Sequence, residues 1–397
     1  MAPLAGVRVL DLSRILAGPY CSMMLADLGA DVVKVERPGS GDPTRSWGPP
    51  FVEGESTYFL SANRGKRSIC VDLADPEGIE LVRTLAAQAD VVLENFIPGG
   101  AERMGLGYAA LRERRPSLVY CSIAGYPEDG PDASRPGFDF AIQGEGGVMS
   151  ITGDPDGDPM KVGVAIADIT AGIYAAVGVL AALREATASG VGSHVQVSLF
   201  DAQLAWLANR ASDFLVAGET PVRLGNAHPA IVPYESFRAS DGYVIVAIGT
   251  DAQFERFCIE ASLPELLDDP RFATNPDRVR NRAELTPALA AAFERRPLAE
   301  WLALMERARV PGGPVRTIPE VFEHAPFATH THEHATLGPI RTVRSPIGLD
   351  GTRTTADAPP PLLGEHAEEI LAEAGYSAPE VERMLASICR TGQRTGQ

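Results

Sequence analysis

The sequence has little of what marks several common protein classes. Its five cysteines are spread along 397 residues without paired spacing, which argues against a disulfide framework or a cysteine-based metal or redox motif. We therefore expect the cysteines to be reduced. The longest apolar run, at about residues 171–183, is shorter than the roughly 20 residues that span a bilayer. The first residues lack the basic start and apolar run of a signal peptide, so we expect a cytoplasmic protein without membrane contact.

Loops that bind nucleotides through spaced glycines are also missing. The loop after the first predicted strand contains only Gly18, which disfavours an NAD-binding motif. The glycine-rich residues 143–147 are not followed by the lysine of a P-loop, and no Gly-x-Ser-x-Gly motif indicates a hydrolase. His330, His332 and His334 would share a face only on a strand. Their Thr and Glu neighbours favour a solvated connection, so we predict no metal site.

The balance of charge is strongly acidic. A formal net charge of −17 argues against nucleic acid or an anionic membrane as a partner, because like charges repel over long range. A local basic pocket for a nucleotide remains compatible with this charge. The chain is otherwise of ordinary composition, with 45% hydrophobic residues, and is long enough for more than one domain.

Strand-like and helix-like patterns alternate in the first part of the chain. The strand-like runs lie at residues 7–12, 30–36, 68–73, 90–94 and 117–124, and the helical patterns lie at 19–28 and 77–88. This alternation predicts a parallel sheet covered by helices, and therefore an α/β fold with a Rossmann-like large domain. A long apolar helix near residues 169–185, a strand at 194–198 and a helix near 199–216 follow.

The pattern changes after about residue 224. A hairpin over residues 234–248, with Asp241-Gly242 at its turn, precedes several short helices. We predict a large domain over residues 1–224 and a smaller α+β domain over 225–324. A C-terminal segment over 325–397, with helices at 365–374 and from 378, is expected to return to the large domain. The terminal repeat of Arg-Thr-Gly-Gln is expected to be frayed.

One carboxylate stands at the entrance to the long apolar helix. The simplest role for Asp168 at this position is that of an N-cap. The functional alternative is a nucleophile. Amide donors and the helix dipole at this end would keep the carboxylate ionised, as attack on a thioester requires.

Other candidates lie just upstream of this helix or within it. Gly146 and Gly147 form either an ordinary turn or a close-approaching loop whose amides stabilise an oxyanion. Asp139, Gln143 and Tyr174 are further candidates for contact with the reacting groups, and each is equally compatible with a structural role.

Motifs along nearly the whole chain resemble those of the class III CoA-transferases, the family of formyl-CoA transferase and carnitine CoA-transferase. The matching segments are residues 10–20, 28–38, 63–68, 94–99, 103–105, 163–168, 225–229, 233–234, 310–315 and 361–366. No single segment is decisive, whereas their joint order is specific.

The resemblance implies that Asp168 is the aspartate that becomes acylated. It implies a CoA thioester as co-substrate, no tightly bound cofactor, and a carboxylic acid as the second substrate. The implied CoA-binding residues are Leu16, Ala17, Arg37, Val71, Asn95, Phe96, Ile97 and Arg103. Guanidinium groups suit phosphates and apolar walls suit adenine. Without the resemblance, Arg37 and Arg103 would pass for surface charges.

The same resemblance implies two Rossmann-like lobes joined through a small domain, in a homodimer of interlocked chains. Where some relatives carry a basic residue this chain has Pro136, and Arg135 is the candidate to replace it. Phe138 stands where related α-methylacyl-CoA racemases carry histidine, which disfavours racemase chemistry because that reaction needs an acid/base pair. A racemase and a CoA-thioester-binding protein without transferase activity remain the alternatives. The sequence leaves the donor and acceptor acids open.

Overall fold

The computed structural model describes residues 2–387 and divides the chain into two compact units. The first unit contains the chain up to Val148, then Val162–Ser212, and the chain from Phe327 onward. The second contains Met149–Lys161 and Asp213–Pro326. The repeat at the C-terminus and Cys389 lie outside the described residues.

The division of the chain falls at different positions from the predicted 224 and 324. Residues 149–161 and 213–224 belong to the second unit instead of the large domain. Arg223 explains part of this, because its guanidinium donates to the carbonyl oxygens of Asp154 and Gly157. The chain after Phe327 returns to the first unit.

The first unit is built on one parallel sheet. Its six strands are β1 (Arg8–Asp11), β2 (Asp31–Glu36), β3 (Lys66–Cys70), β4 (Val91–Glu94), β5 (Val119–Ala124) and β6 (His194–Ser198). Their order is β3-β2-β1-β4-β5-β6, with every neighbouring pair parallel. This is the strand order of Rossmann folds, in which ligands bind beyond the carboxyl ends of the strands. The predicted α/β fold with a parallel sheet is confirmed.

Helices cover both faces of this sheet. The main ones are α1 (Ala17–Asp27), α2 (Pro76–Gln88), α3 (Asp139–Glu145), α4 (Ile166–Ser189) and α5 (Leu199–Trp206). Shorter helices span Thr57–Ser61, Gly100–Arg103 and Tyr108–Arg114, and the C-terminal ones span Ala367–Glu373 and Ala378–Ala386. The short helix Val148–Ile151 begins at the last residue of this part of the first unit and continues into the second unit. Buried residues of α1 and α4 form one core with the sheet, and those of α2 and the C-terminal helices form another.

Two predicted helices differ from the observed ones. The single helix expected near residues 199–216 is broken, because Ala208 has a positive φ of 45° and begins a separate helix, Ala208–Ala217. The apolar helix α4 has 24 residues and is long and apolar enough to cross a membrane, which the shorter predicted run was not. A core helix of a soluble protein passes the same test, and Ala171, Ala175 and Val179 of α4 are fully buried in the core.

The second unit has its own sheet and core. Its antiparallel strands are β7 (Tyr234–Arg238), β8 (Tyr243–Ala247) and β9 (Gly312–Pro314), in the order β9-β8-β7. The predicted hairpin with Asp241-Gly242 between β7 and β8 is confirmed. Its helices span Asp251–Ala261, Pro264–Leu267, Asn275–Arg280, Arg282–Phe293, Leu298–Ala308 and Ile318–His324. The rings of Trp301 and Phe293 pack against each other in its core, with their centroids 4.2 Å apart.

The chain then enters a hairpin of β10 (Thr329–His334) and β11 (Gly338–Val343). The solvated connection predicted for the three histidines is therefore wrong. His332 and His334 are buried, because alternate residues of a strand share one face. The two ring nitrogens of His332 are hydrogen-bonded to the carbonyl oxygen of Asp357 and the hydroxyl of Thr342.

Short elements complete the connections. Two-residue ribbons pair Phe51–Val52 with Glu55–Ser56 and Gly348–Leu349 with Thr352–Arg353. Single 3₁₀ turns span Pro43–Ser46, Pro270–Phe272 and Pro326–Ala328.

Candidate active site

The start of α4 is capped by a residue from another helix. The helix begins at Ile166 after Ala165, whose side chain makes no capping hydrogen bond, so Asp168 lies in the first turn and is not the N-cap. Instead, the carboxylate of Asp139 in α3 accepts a hydrogen bond of 2.8 Å from the backbone amide of Ala167. The N-cap interpretation of Asp168 is therefore wrong, and its carboxylate is available for another role.

Burial raises the pKa of Asp168 to about 7, and the negative charge of Asp139 adds a smaller part of the increase. Among the described residues none donates a hydrogen bond or provides a cation to this carboxylate. The expectation that the helix end keeps Asp168 fully ionised is therefore wrong. Desolvation outweighs the favourable dipole, and near pH 7 the acid and carboxylate forms are both populated.

Gln143 holds the segment that leads into α4. Its side-chain nitrogen donates to Asp139 at 2.7 Å and to the carbonyl oxygen of Val164, while its side-chain oxygen accepts from the amide of Val162 at 2.8 Å. Both ends of this buried amide are therefore engaged. Gln143 and Asp139 therefore hold the backbone that precedes Asp168.

The two glycines predicted to stabilise an oxyanion have engaged amides. The amide of Gly146 donates to the carbonyl oxygen of Ile142, and that of Gly147 donates to the carbonyl oxygen of Gly144, within the last turn of α3. A Cβ on Gly146 would lie 2.6 Å from the side chain of Gln203, which explains the need for glycine there. The oxyanion prediction is not supported, because these amides close a helix end.

A cavity of about 630 Å³ in the first unit contains Asp168. It gathers most of the residues predicted to bind CoA, namely Ala17, Asn95, Phe96, Ile97, Arg103 and Arg135. A second cavity of about 200 Å³ contains Arg37 and Val71. Arg14 and Leu73 line both cavities. Residues that are far apart in sequence thus line two neighbouring cavities at the carboxyl ends of the strands.

Besides Asp139, Gln143, Gly146 and Gly147, two further predicted residues line neither cavity. Leu16 is buried directly before α1, where it packs in the core. Tyr174 lies on the exposed side of α4, more than one turn beyond Asp168. The sequence did not reveal in which direction these two side chains face.

The arginines near the cavities differ in their availability. Arg135 forms ion pairs with Asp132 and Glu145 and lies over the ring of Tyr126. By contrast, Arg14, Arg37 and Arg103 form no ion pair within residues 2–387. A guanidinium group without a protein carboxylate is better placed to bind a phosphate. The suggestion that Arg135 replaces a missing basic residue is weakened accordingly.

Two residues near the site were not singled out from the sequence. Arg14 lies in a motif that carried the family resemblance, so its place in that motif was a usable signal. Tyr58 is half-buried, and burial together with the charges of Asp168, Asp139 and Asp42 raises its pKa to about 12. No sequence pattern links Tyr58 to Asp168, because only folding brings them together.

Comparisons with known proteins agree with this geometry. The model of CoA-transferase family III matches residues 4–367. The chain is 43% identical to succinyl-CoA:glutarate CoA-transferase of Mus musculus, over 98% of this chain and 90% of that one. It is 46% identical to succinate–glutarate CoA-transferase of Agrobacterium fabrum, over 94% of this chain and 95% of that one. A CAIB/BAIF family protein from Brucella suis has a similar crystal structure, with a TM-score of 0.84 and 44% identity over 94% of this chain and 99% of that one.

Proposed function

Because the chain belongs to CoA-transferase family III, we propose that it transfers CoA through covalent intermediates on Asp168. As a class III CoA-transferase it moves CoA between an acyl-CoA and a carboxylate. One observation above all supports the role of Asp168. It is the one carboxylate among the described residues of the larger cavity, where it lies with the unpaired Arg14 and Arg103.

The proposed reaction has four steps. A carboxylate oxygen of Asp168 attacks the thioester carbonyl of the donor, which forms a mixed anhydride and releases CoA thiolate. The thiolate attacks the aspartyl carbonyl and expels the donor acid, leaving an aspartyl-CoA thioester. The acceptor carboxylate then attacks this thioester to give a second anhydride and CoA thiolate. The thiolate finally attacks the acceptor acyl carbon and frees Asp168. Thioester free energy is conserved, so no nucleotide hydrolysis is needed.

The environment of Asp168 suits a nucleophile. Burial destabilises its charged form, so the carboxylate of Asp168 is more basic and more reactive than the carboxylate of an aspartate in water. The proposal gives Asp139 and Gln143 the task of fixing the backbone before Asp168 through their hydrogen bonds.

CoA is proposed to lie across the two cavities. Arg37 and Arg14 would bind phosphates at the smaller cavity, beside Val71, and Arg103 would bind one in the larger cavity. The exposed Ile97 and the ring of Phe96 would form an apolar wall along the pantetheine arm.

We further propose succinyl-CoA as donor and a dicarboxylic acid such as glutarate as acceptor. The names of the two relatives at 43% and 46% identity support this choice. Related transferases named for mesaconate and oxalate also pair a CoA donor with a dicarboxylic acid.

A homodimer is proposed on the basis of an apolar surface of the first unit. Ile173, Tyr174 and Val177 are exposed on α4, and Leu204 and Trp206 are exposed on α5. Such a surface is typical of an association site. A second copy is the proposed partner, with the chains interlocked as the family resemblance implies. Sedimentation of the wild type and of Val177→Lys tests this, and a monomeric wild type would reject it.

The decisive experiment traps the aspartyl intermediate. The protein is incubated with succinyl-CoA and hydroxylamine, and the peptide carrying Asp168 is analysed by mass spectrometry. A hydroxamate on Asp168 in the wild type, absent in Asp168→Asn, is the expected result. Asp201→Asn is a matched control, because Asp201 also lies in the first turn of a helix but outside this cavity. A wild-type protein that transfers CoA without any label on Asp168 would refute the mechanism.

A further inference from the structure

The loop between β1 and α1 has a strained backbone where it lines the larger cavity. Ile15 has a φ of +71°, in the left-handed region. A β-branched residue rarely adopts this conformation, because its side chain crowds the backbone. Such strain persists only when surrounding groups enforce it, and it is concentrated at functional sites. The groups that hold Ile15 therefore bear on function.

Three side chains hold three successive residues of this loop. Lys34 donates to the carbonyl oxygen of Ser13 at 2.9 Å. Asn95 clamps Arg14 from both sides, accepting from its amide at 2.8 Å and donating to its carbonyl oxygen at 2.7 Å. The carboxylate of Asp42 accepts from the amide of Ile15 through both oxygens, at 3.3 and 3.2 Å.

Lys34 and Asp42 are themselves a buried ion pair. Their charged atoms are 2.9 Å apart, and their side chains are 1% and 0% exposed. Asp42 also accepts from the amide and the hydroxyl of Thr44. Two charges buried this completely are costly unless each is fully paired. The pair lies directly against the loop, and further hydrogen bonds to Thr44 fix Asp42 in place.

The held loop places Arg14 at the boundary of the two cavities. Its guanidinium lies 5.4 Å from the centre of the Phe96 ring and has no carboxylate partner among the described residues. Arg14 lines both the cavity of Asp168 and that of Arg37. A phosphate-bearing substrate that occupies both cavities would pass this guanidinium.

We propose that Asp42 and Lys34 are positioning residues that hold Ile15 in its left-handed conformation and so keep Arg14 directed at the phosphates of bound CoA. The substrate in this inference rests on the proposed function. Neither Asp42 nor Lys34 lines a cavity, so the pair would act on the substrate through the loop.

The test compares a donor that has nucleotide phosphates with one that lacks them. For Asp42→Ala, the KM for succinyl-CoA is expected to rise about tenfold, the loss expected for a misplaced charge-assisted hydrogen bond, with kcat little changed. The KM for succinyl-pantetheine should stay close to that of the wild type. Equal increases for both donors would mean a general structural defect and would overturn the proposal.

A second substitution separates strain from other effects of Asp42. Glycine adopts the left-handed region without penalty, so Ile15→Gly in the Asp42→Ala background should recover part of the lost affinity for succinyl-CoA. Ile15→Val in the same background keeps a β-branched side chain and should recover none. No recovery with glycine, or equal recovery with valine, contradicts the proposal.

Calorimetric binding of free CoA and of pantetheine provides a readout that does not need turnover. If Asp42→Ala binds CoA more weakly but binds pantetheine as the wild type does, the inference is supported even if Asp168 is never labelled by hydroxylamine. If Asp168 is labelled and Asp42→Ala binds CoA as tightly as the wild type, the inference is rejected and the proposed function stands. If Asp42→Ala does not fold, Asp42→Asn is used, because it keeps one acceptor oxygen for Ile15. It should show the same selective loss of affinity for CoA, with pantetheine binding unchanged, but to a smaller extent.

Discussion

Carboxylates in two places of the first unit have pKa values shifted in opposite directions. Asp11 and Asp42 lie beside Lys66 and Lys34, and both carboxylates have a pKa below the ordinary value because the lysine charges and hydrogen bonds outweigh burial. Asp168 lies beside another carboxylate, and its pKa rises. The first set is stabilised in its charged form and supports structure. The second is left without compensation, as a reactive group must be.

This contrast shows what distinguishes a structural carboxylate from a chemical one in the same fold. Burial alone does not do so, since Asp11 and Asp42 are more completely buried than Asp168 and yet have the lowered pKa. What differs is the compensation, because lysine cations and hydrogen bonds offset the cost of burial at Asp11 and Asp42, whereas no cation among the described residues does so at Asp168 and the charge of Asp139 adds to the increase. The following four changes test the comparison, beginning with the largest expected effect.

Asp168→Asn should affect activity and stability in opposite directions. We expect kcat to fall by about 10⁴-fold or more, as when a covalent nucleophile is removed. The melting temperature at pH 8 should rise, because an uncompensated buried charge has been replaced by a neutral amide. A CoA-transfer assay and calorimetry measure the two effects. A lower melting temperature would mean that Asp168 has a stabilising partner.

Lys34→Met should have the largest effect on stability. It leaves the carboxylate of Asp42 buried without its cation, and losing one partner of a buried pair costs about 3–5 kcal/mol. Urea unfolding measures the loss, with Arg112→Met on the exposed side of a short helix as control. A loss of stability below about 1 kcal/mol, as is usual for surface positions, would mean that Lys34 does not stabilise the carboxylate of Asp42.

The pH dependence of stability should identify Asp168 by its sign. Its folded-state pKa of about 7 exceeds the ordinary value of 3.8, so the folded state retains a proton that the unfolded state has lost. The wild type should therefore lose stability relative to Asp168→Asn as pH rises from about 4 to 7, by at most roughly 4 kcal/mol, and the difference should then level off. Urea unfolding at several pH values measures it. A constant difference would contradict the raised pKa.

Asp139→Asn should have the smallest effect. Removing the neighbouring charge lowers the pKa of Asp168, so the acid limb of the profile of kcat/KM against pH should move to lower pH. Burial, the larger cause, remains, so the pKa should stay above that of an exposed aspartate. The asparagine oxygen can still accept from Ala167, so folding should be kept. An acid limb that does not move would assign the shift to burial alone.

Much of the fold could be predicted because its signals are local. Period and alternation predicted the strands at 7–12 and 90–94 within two residues of β1 and β4, and the hairpin turn at Asp241-Gly242. The histidines of β10 were mistaken for a loop, because their polar neighbours concealed a strand whose other face is buried. The break at Ala208 was missed, since no proline or glycine marks it.

The site could be predicted only in part. Asp168 and the wall of Asn95, Phe96 and Ile97 lie together in one cavity, as the motifs implied. The role given to Gly146 failed, because a glycine-rich turn in sequence does not show whether its amides are already bonded. Arg135 is less available than predicted for a similar reason, since its ion-pair partner Glu145 is ten residues away.

The sequence by itself determined which segments form the parallel sheet, that a long apolar helix follows and which carboxylate stands near its start, because these depend on short-range patterns and on an ordered series of motifs. Only the tertiary structure decided how that carboxylate titrates, that Lys34 and Asp42 hold Ile15, that Arg14 lines both cavities, and that Tyr58 lies near Asp168. Desolvation and Coulomb interactions depend on distances through space, and those distances arise only when segments far apart in the chain pack together.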